Sequence, residues 1–343
     1  MLAFTRDALS ACGVPDADAA IAAKQMIEAD LTGFDAHGIF RLKAYCETLK
    51  SGRVNPKATI KIVQRSPATA LVDGDNAMGH LVITYAANLA IELAKASGIG
   101  WVGVHSSNHA GAAGVYAEMP VAHNMVGIYA AVSTANHMAP WGGSEPLLGT
   151  NPIAFGIPAG VEAPVVLDIA TSLASFGTVR QHVISGERMP DGWMVNSKTG
   201  KPVNDPKDVK DGVMLPIGGH KGSGLALMIG LLGGVLNSAA FGRDVIDFTL
   251  PGTEPTNTGQ FMVAIDVARF LPPEQFKAEV DRHLVDMRSS KLLPGFDAIR
   301  MPGEGRRQRR ADRTANGVAL PAGLIKQLDG LAADLKLTPL TAR

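Results

Sequence analysis

Leu93-Ala94-Lys95-Ala96-Ser97-Gly98-Ile99-Gly100-Trp101-Val102-Gly103-Val104 carries a G-x-G-x-x-G pattern in the wrong order of elements. Leu81, Tyr85, Leu89 and Leu93 recur ahead of it at helical spacing, with Lys95 in the last turn and Gly98 as the C-cap. Trp101-Val102-Gly103-Val104 then reads as a buried strand. A dinucleotide fingerprint must follow a strand and open a helix, so that the amides of the helix start meet the pyrophosphate. Here the glycines form a helix-to-strand turn. If the chain binds a dinucleotide, it does so without the usual Rossmann signature.

Working outward, Ile60-Lys61-Ile62-Val63 reads as a short strand and Asp73-Gly74 as a turn. Further strands are expected at 126–132, 165–168 and 261–267, and a helix at 110–124 interrupted by Pro120. Pro15-Asp16 opens a helix with Ala19, Ala23, Ile27 and Leu31 on one face, stopped by Thr32-Gly33. A second helix is expected over 37–50, with Leu42, Cys46 and Leu49 as its buried stripe. Pro272-Pro273-Glu274 opens another, and Pro321 begins the last, with Leu324, Leu328, Leu331 and Leu335 in register. Helices and strands intermix, so the class is α/β, of a mixed α+β kind. Residues 133–158 are rich in Gly, Pro, Asn and Thr and read as functional loop.

At 343 residues the chain has room for about two domains. Lys+Arg and Asp+Glu both number 32, so there is no basic field to attract nucleic acid. Cys12 and Cys46 sit in helical segments and read as small buried residues, not as a disulfide framework, which points to a reducing compartment. No signal-peptide pattern opens the chain. The apolar run 225–241 includes Asn237 and Ser238 and falls short of the roughly 20 residues a membrane span needs. It reads as a buried helix, and the protein as cytoplasmic with no membrane partner.

Several groups carry chemistry. His37 and Arg41 are four apart on the expected helix, with Tyr45 one turn on, so they share a face. A histidine gives or takes a proton near neutrality. An arginine fork suits a carboxylate. His105 and His109 have H-x-x-x-H spacing, but they follow a strand and enclose no Glu. They leave open a metal-dependent hydrolase as the alternative from another class. His109-Ala110-Gly111-Ala112-Ala113-Gly114 runs from strand to helix in tiny residues, an arrangement that either cradles phosphate or packs strand closely on helix. Asp168-Ile169-Ala170-Thr171 ends a strand and starts a helix, where α/β sheets place ligands. Lys221 among the glycines of 218–224 reads as anion binding, without the P-loop spacing. The run Arg306, Arg307, Arg309, Arg310, Arg313 is either a contact for a 2′-phosphate or a solvated arm. No G-x-S-x-G is present.

Taken in order, these segments resemble the malate/L-lactate dehydrogenase family of the second type, which is sulfolactate-dehydrogenase-like. The matching text is Asp35-Ala36-His37-Gly38 with Arg41, Leu42 and Tyr45, then Ser107-Asn108-His109-Ala110-Gly111 and Pro140-Trp141-Gly142-Gly143. Next come Leu148-Gly149-Thr150-Asn151-Pro152, Leu167-Asp168-Ile169-Ala170-Thr171-Ser172 and Pro190-Asp191-Gly192-Trp193. Gly218-Gly219-His220-Lys221-Gly222 and Met301-Pro302-Gly303-Glu304 complete the series. The resemblance implies a non-Rossmann cofactor domain on a mixed sheet, over 71–311, and a helical domain from both termini, 1–70 plus 312–343. It implies hydride transfer between NAD or NADP and a small 2-oxo/2-hydroxy acid, or, as the alternative, NADPH-dependent reduction of a cyclic imino acid, by a homodimer. His37 is the implied proton donor, with His109 as rival; Arg41 and Thr150 hold substrate. His109, Ala110, Gly111, Ala112, Ala113, Ser133, Asp168, Ile169, Ala170, Lys221, Gly303 and Glu304 contact the cofactor, and no metal is implied. Ala36, Ala110 and His220 stand where many relatives have Ser, Phe and Tyr. A family member without turnover, kept for binding, is the third alternative, and the intact His37, Arg41 and Thr150 argue against it.

Overall fold

Alternate residues of the stretch Thr258–Asp266 face two different cores, which makes it the middle of the molecule. Met262 and Ala264 pack with one cluster, Phe261 and Val263 with another. Period-two alternation does this in any strand covered on both faces. The computed structural model describes residues 1–342. In chain order its elements begin with α1 (Leu2–Ala11), α2 (Asp16–Leu31), α3 (Leu42–Lys50), β1 (Lys61–Arg65), β2 (Thr69–Asp73), α4 (Gly79–Ser97) and β3 (Ile99–Ser107). They continue with α5 (Ala113–Ala117), β4 (Met125–Ala131), β5 (Ile153–Ile157), β6 (Val165–Ile169), α6 (Phe176–Ser185), β7 (Met194–Asn196) and β8 (Gly212–Met214). The last are α7 (His220–Gly233), β9 (Thr258–Asp266), α8 (Pro273–Arg288), α9 (Glu304–Asn316) and α10 (Ala322–Leu335).

The main sheet runs β1-β2-β3-β9-β4-β5-β6. Only β2 and β3 are parallel; every other neighbouring pair is antiparallel. A parallel pair needs a crossover, and α4 supplies it. Its Val82, Ile83, Ala86 and Ala90 are buried against the face that carries Val102, Val104 and Met262. On the other face α7 sets Leu225 and Ile229 against Ala130, Phe261 and Val263. The mixed sheet expected from the sequence is therefore present.

The glycines of the opening motif are structural. Gly98 takes a left-handed φ of 86° and caps α4, and its N–H bonds to Ala94 O at 2.7 Å. Gly100 lies against the α4 backbone at Ala90, and Gly103 against the Asn237 side chain; a Cβ at either would collide.

The two ends of the chain share a core. Phe4, Leu9, Met26, Leu42, Leu49, Leu328 and Leu331 from α1, α2, α3 and α10 are buried together. A domain division at 70 falls inside β2, and one at 311 inside α9.

Several expectations differ from the structure. The helix expected over 110–124 is the short α5 followed by a 3-10 turn at Met119–His123, because Pro120 has no N–H to continue the ladder. The helix expected to be buried over 225–241 is α7, which starts at His220, ends at Gly233 and exposes one side. Leu227 is 40% exposed and Met228 48%. Asp168-Ile169-Ala170-Thr171 ends β6 but starts no helix; α6 begins at Phe176. Among the described residues no helix is long and apolar enough to cross a membrane.

Candidate active site

The helix expected over 37–50 is broken at Gly38. Asp35–His37 and Ile39–Arg41 are separate 3-10 turns, and α3 starts only at Leu42. The cause is Asp30 on α2, 2% exposed, whose carboxylate accepts the Ile39 N–H at 2.9 Å and occupies the space beside Gly38. Burial pushes the Asp30 carboxyl up to about 7, while the Ile39 N–H pulls the other way. His37 and Arg41 are therefore not one helical turn apart. Arg41 turns back instead and donates its Nε to Ala36 O at 2.9 Å.

The break brings His37 over the loop after β3. The rings of His37 and His109 stack with centroids 5.7 Å apart and planes 16° apart. Phe248 stacks on His109 at 5.2 Å, and the Arg41 guanidinium lies 5.6 Å from the Phe248 ring centroid. Tyr45 Oη sits 2.6 Å from His109 Nδ1, and the Gly111 N–H donates to the same nitrogen at 3.4 Å. Two groups converging on Nδ1 put the proton of a neutral ring on Nε2. Burial is the main reason that His37 falls to about 4 and His109 well below the usual histidine value, with the Arg41 charge acting in the same direction. Both rings are neutral at pH 7.

Two cavities meet at this pair. One, of about 400 Å³, runs from His37 and Thr150 along Gly111, Ala112 and Ala113 to Asp168 and Ala170. A smaller one holds His37, His109, Ala110, Ser133 and Thr150. Asp168 Oδ2 accepts the Gly114 N–H at 2.7 Å, so the tiny-residue loop is pinned to the end of β6. Burial raises the Asp168 carboxyl; that N–H and the Arg306 charge oppose the rise. Ile169 pairs with Ile153 in the sheet and lines neither cavity, and Lys221, Gly303 and Glu304 line neither. Lys221 is exposed at the start of α7, and Glu304 accepts Arg288 Nε at 2.9 Å. Arg41 lines a third cavity, which Phe248 lines as well.

The arginine run is not a solvated arm. Arg306 pairs with Glu118 at 3.1 Å, Arg310 with Glu28 at 2.5 Å, and Arg313 with Asp35, which ties α9 to α2 and to the His37 turn. Arg306 is 7% exposed and its Nη1 is buried without a partner, beside Asp168 and Gly114. Arg309 keeps no acid partner and lies over Gly33, at the rim of the larger cavity. His105 and His109 do not converge on a shared site. His105 Nδ1 is 2.8 Å from Ser106 Oγ, His109 is held by Tyr45, and no cluster of three or more His, Cys, Asp or Glu able to hold a metal ion occurs among the described residues.

Sequence reasoning passed over His80, Phe248 and Arg180. His80, 1% exposed at the start of α4, sits edge-on to Tyr45 at 5.1 Å with neither ring nitrogen bonded. Its signal was a histidine in the apolar first turn of that helix. Phe248 and Arg180 lie in segments with no local pattern.

A pair of buried histidines opening on a cleft lined by small residues, on a non-Rossmann mixed sheet, suits a nucleotide-linked oxidoreductase. The family model of malate/L-lactate dehydrogenases matches residues 1–329, and the chain belongs to that family. It is an NAD(P)-dependent dehydrogenase. It is 37% identical over 332 residues to the L-sulfolactate dehydrogenase of Methanothermobacter thermautotrophicus, covering 97% of this chain and 94% of that one. It is 32% identical to the Delta(1)-pyrroline-2-carboxylate reductase of Ancylobacter novellus, covering 95% and 94%. The crystal structure of malate dehydrogenase from Entamoeba histolytica superposes with a TM-score of 0.94 at 31% identity, covering 98% of this chain and 96% of that one.

Proposed function

We propose that this protein interconverts a small 2-oxo acid and its 2-hydroxy acid with NAD or NADP. The observation that carries this is the His37–His109 stack with Tyr45 on Nδ1, at the head of the cleft that ends at Asp168. The residues present fit a dinucleotide. Gly111, Ala112 and Ala113 leave room beside the chain, and the unpartnered Nη1 of Arg306 is a buried donor next to Gly114, at the end of that loop. In this reading 109–113, Ser133, Asp168 and Ala170 hold the cofactor. When bound, the nicotinamide supplies or accepts a hydride at C2 of the substrate.

The chain's own residues do the rest. His109, neutral with its proton on Nε2, hydrogen-bonds the substrate oxygen and polarises the carbonyl; as the alkoxide forms it takes the Nε2 proton, Tyr45 Oη passes its own proton to Nδ1, and the tyrosinate regains one from solvent. His109 thus takes the role expected first of His37, which stacks against it and walls the site. Thr150, whose hydroxyl has no partner among the described residues, adds a donor. Arg41 holds the carboxylate from the cavity beside Phe248. Arg41→Ala should raise KM for the acid by about 10- to 100-fold, the worth of a charge-assisted hydrogen bond, and change kcat less. The assay is NADH or NADPH absorbance with pyruvate, oxaloacetate, sulfopyruvate and 1-pyrroline-2-carboxylate. Turnover of the imine alone would assign the reductase activity instead, and no turnover with any of them would end the reading.

The exposed side of α7 supports a homodimer. Leu227, Met228, Leu231 and Leu232 are joined by Val235, 58% exposed, and Leu236, 62% exposed, a patch of the kind that marks an interface. Leu231→Asp should convert the wild-type dimer to monomer in sedimentation velocity; an unchanged sedimentation coefficient would place the interface elsewhere. The thiols of Cys12 and Cys46 are both free, which fits a cytoplasmic protein.

A further inference from the structure

We propose that Arg180 determines substrate specificity, sharing a cavity with Arg41 and taking the second anionic group of a 2-oxo acid whose carboxylate Arg41 holds. The proposal rests on the reading above and narrows its substrate to dianions, with a carboxylate or sulfonate at the far end.

The cavity lies beside Phe248 and has a volume of about 390 Å³. Three of its lining residues are arginines, but they are not equivalent. Arg53, 3% exposed, gives its guanidinium to the carbonyl oxygens of Asp247, Phe248, Leu250 and Glu254 at 2.8–3.2 Å. It fastens the segment that forms one wall, with four of its five N–H groups spent on those carbonyls. Arg41 uses Nε on Ala36 O, and neither of its Nη groups has a partner among the described residues. Arg180, exposed on α6, has no hydrogen bond or ion pair among them. Glu47 is the one acid on the lining, and its side chain is 64% exposed, 3.8 Å from Lys43.

Arg41 and Arg180 thus share one cavity, and neither is paired with a carboxylate among the described residues. Neither can lose its proton at working pH, so an anion held against both relieves their repulsion. Burial first, and the Arg180 charge after it, pull the Arg41 guanidinium below the usual arginine value. A monoanion such as pyruvate, or a cyclic imino acid, compensates one of the two. A 2-oxo acid with a second acidic group compensates both and can meet each fork with paired N–H···O bonds. The position of α6 makes this geometry coherent. Ser175, Thr178 and Gln181 line the cleft next to His37, and Arg180 lines the Arg41 cavity, so one helix walls both.

The test compares wild type with Arg180→Gln and Arg180→Lys. For oxaloacetate and sulfopyruvate, Arg180→Gln should raise KM about 10- to 100-fold with kcat within about threefold, while KM for pyruvate stays unchanged. Arg180→Lys should recover part of the loss. Malonate binding to the protein, measured by calorimetry, gives a readout that needs no turnover. Arg180→Gln should weaken it at least tenfold and leave the weak binding of acetate alone. Malonate binding that depends on Arg180, in a protein that reduces no 2-oxo acid, would sink the reading of the reaction and leave Arg180 as a dianion contact. Equal losses for pyruvate and oxaloacetate, or no loss of malonate binding, would overturn the proposal.

Discussion

His109→Ala should lower kcat for 2-oxo acid reduction by about 10²–10⁴-fold, the usual weight of a positioned proton donor. This corresponds to about 3–5 kcal/mol at the transition state. The carbonyl oxygen becomes an alkoxide as reduction proceeds, and a donor already aimed at it costs no reorganisation at that moment. Tyr45 Oη at 2.6 Å and the Gly111 N–H at 3.4 Å, both on Nδ1, are what aim it. Tyr45→Phe should therefore lose part of the same rate while leaving cofactor binding intact. Because burial holds His109 well below its usual value, its own titration should be missing from the kcat profile between pH 6 and 8. His37→Ala is the control. If it abolishes turnover while His109→Ala stays active, the two histidines exchange roles.

The second large effect is on acid stability. His37, His80 and His137 are held to about 4, 3 and 4, and His109 well below 6.5, with burial as the leading cause in each. Above pH 6.5 all four are neutral in both states and the stability they permit is fully present. As pH falls from 6.5 toward 4 the unfolded chain takes up protons that the folded chain refuses, and stability is lost. Asp30 runs the other way. Its folded carboxyl keeps a proton up to about 7, so its contribution is greatest at low pH and disappears as pH rises through 7. Near pH 5 it offsets about one of the four histidines. Asp168, also raised by burial, opposes the histidines in the same direction, so the net slope is roughly 3–4 kcal/mol per pH unit, at about 1.4 kcal/mol per proton. Urea unfolding at pH 7, 6 and 5 measures it, and His80→Phe should flatten the slope by about one proton. A midpoint that does not move between pH 7 and 5 would show that these rings are charged in the folded protein.

Much of the fold was legible. The helix ending at Gly98, the strand after it, the strands near 126–132, 165–168 and 261–267, and the terminal helix all follow from local periodicity and caps. The break at Gly38 was not legible, because the residue that causes it, Asp30, acts from another helix. A stretch with good helical spacing lost its N–H to a buried carboxylate. The arginine run misled for the same reason. In sequence it is a dense charge, and only folding supplies Glu28 and Asp35 from about 280 positions away.

Residue order by itself determined which groups stand at the proposed site, His37, Arg41, His109, Thr150 and Asp168, and that the glycine pattern is a helix-to-strand turn. Those are matters of local spacing and backbone preference, which a few consecutive residues decide. The tertiary structure alone decided that His37 stacks on His109, that Tyr45 sets the proton on Nε2, and that Arg41 shares its cavity with Arg180. Such contacts join elements far apart in the chain, and they exist only once burial of the sheet and helix faces has brought those elements together.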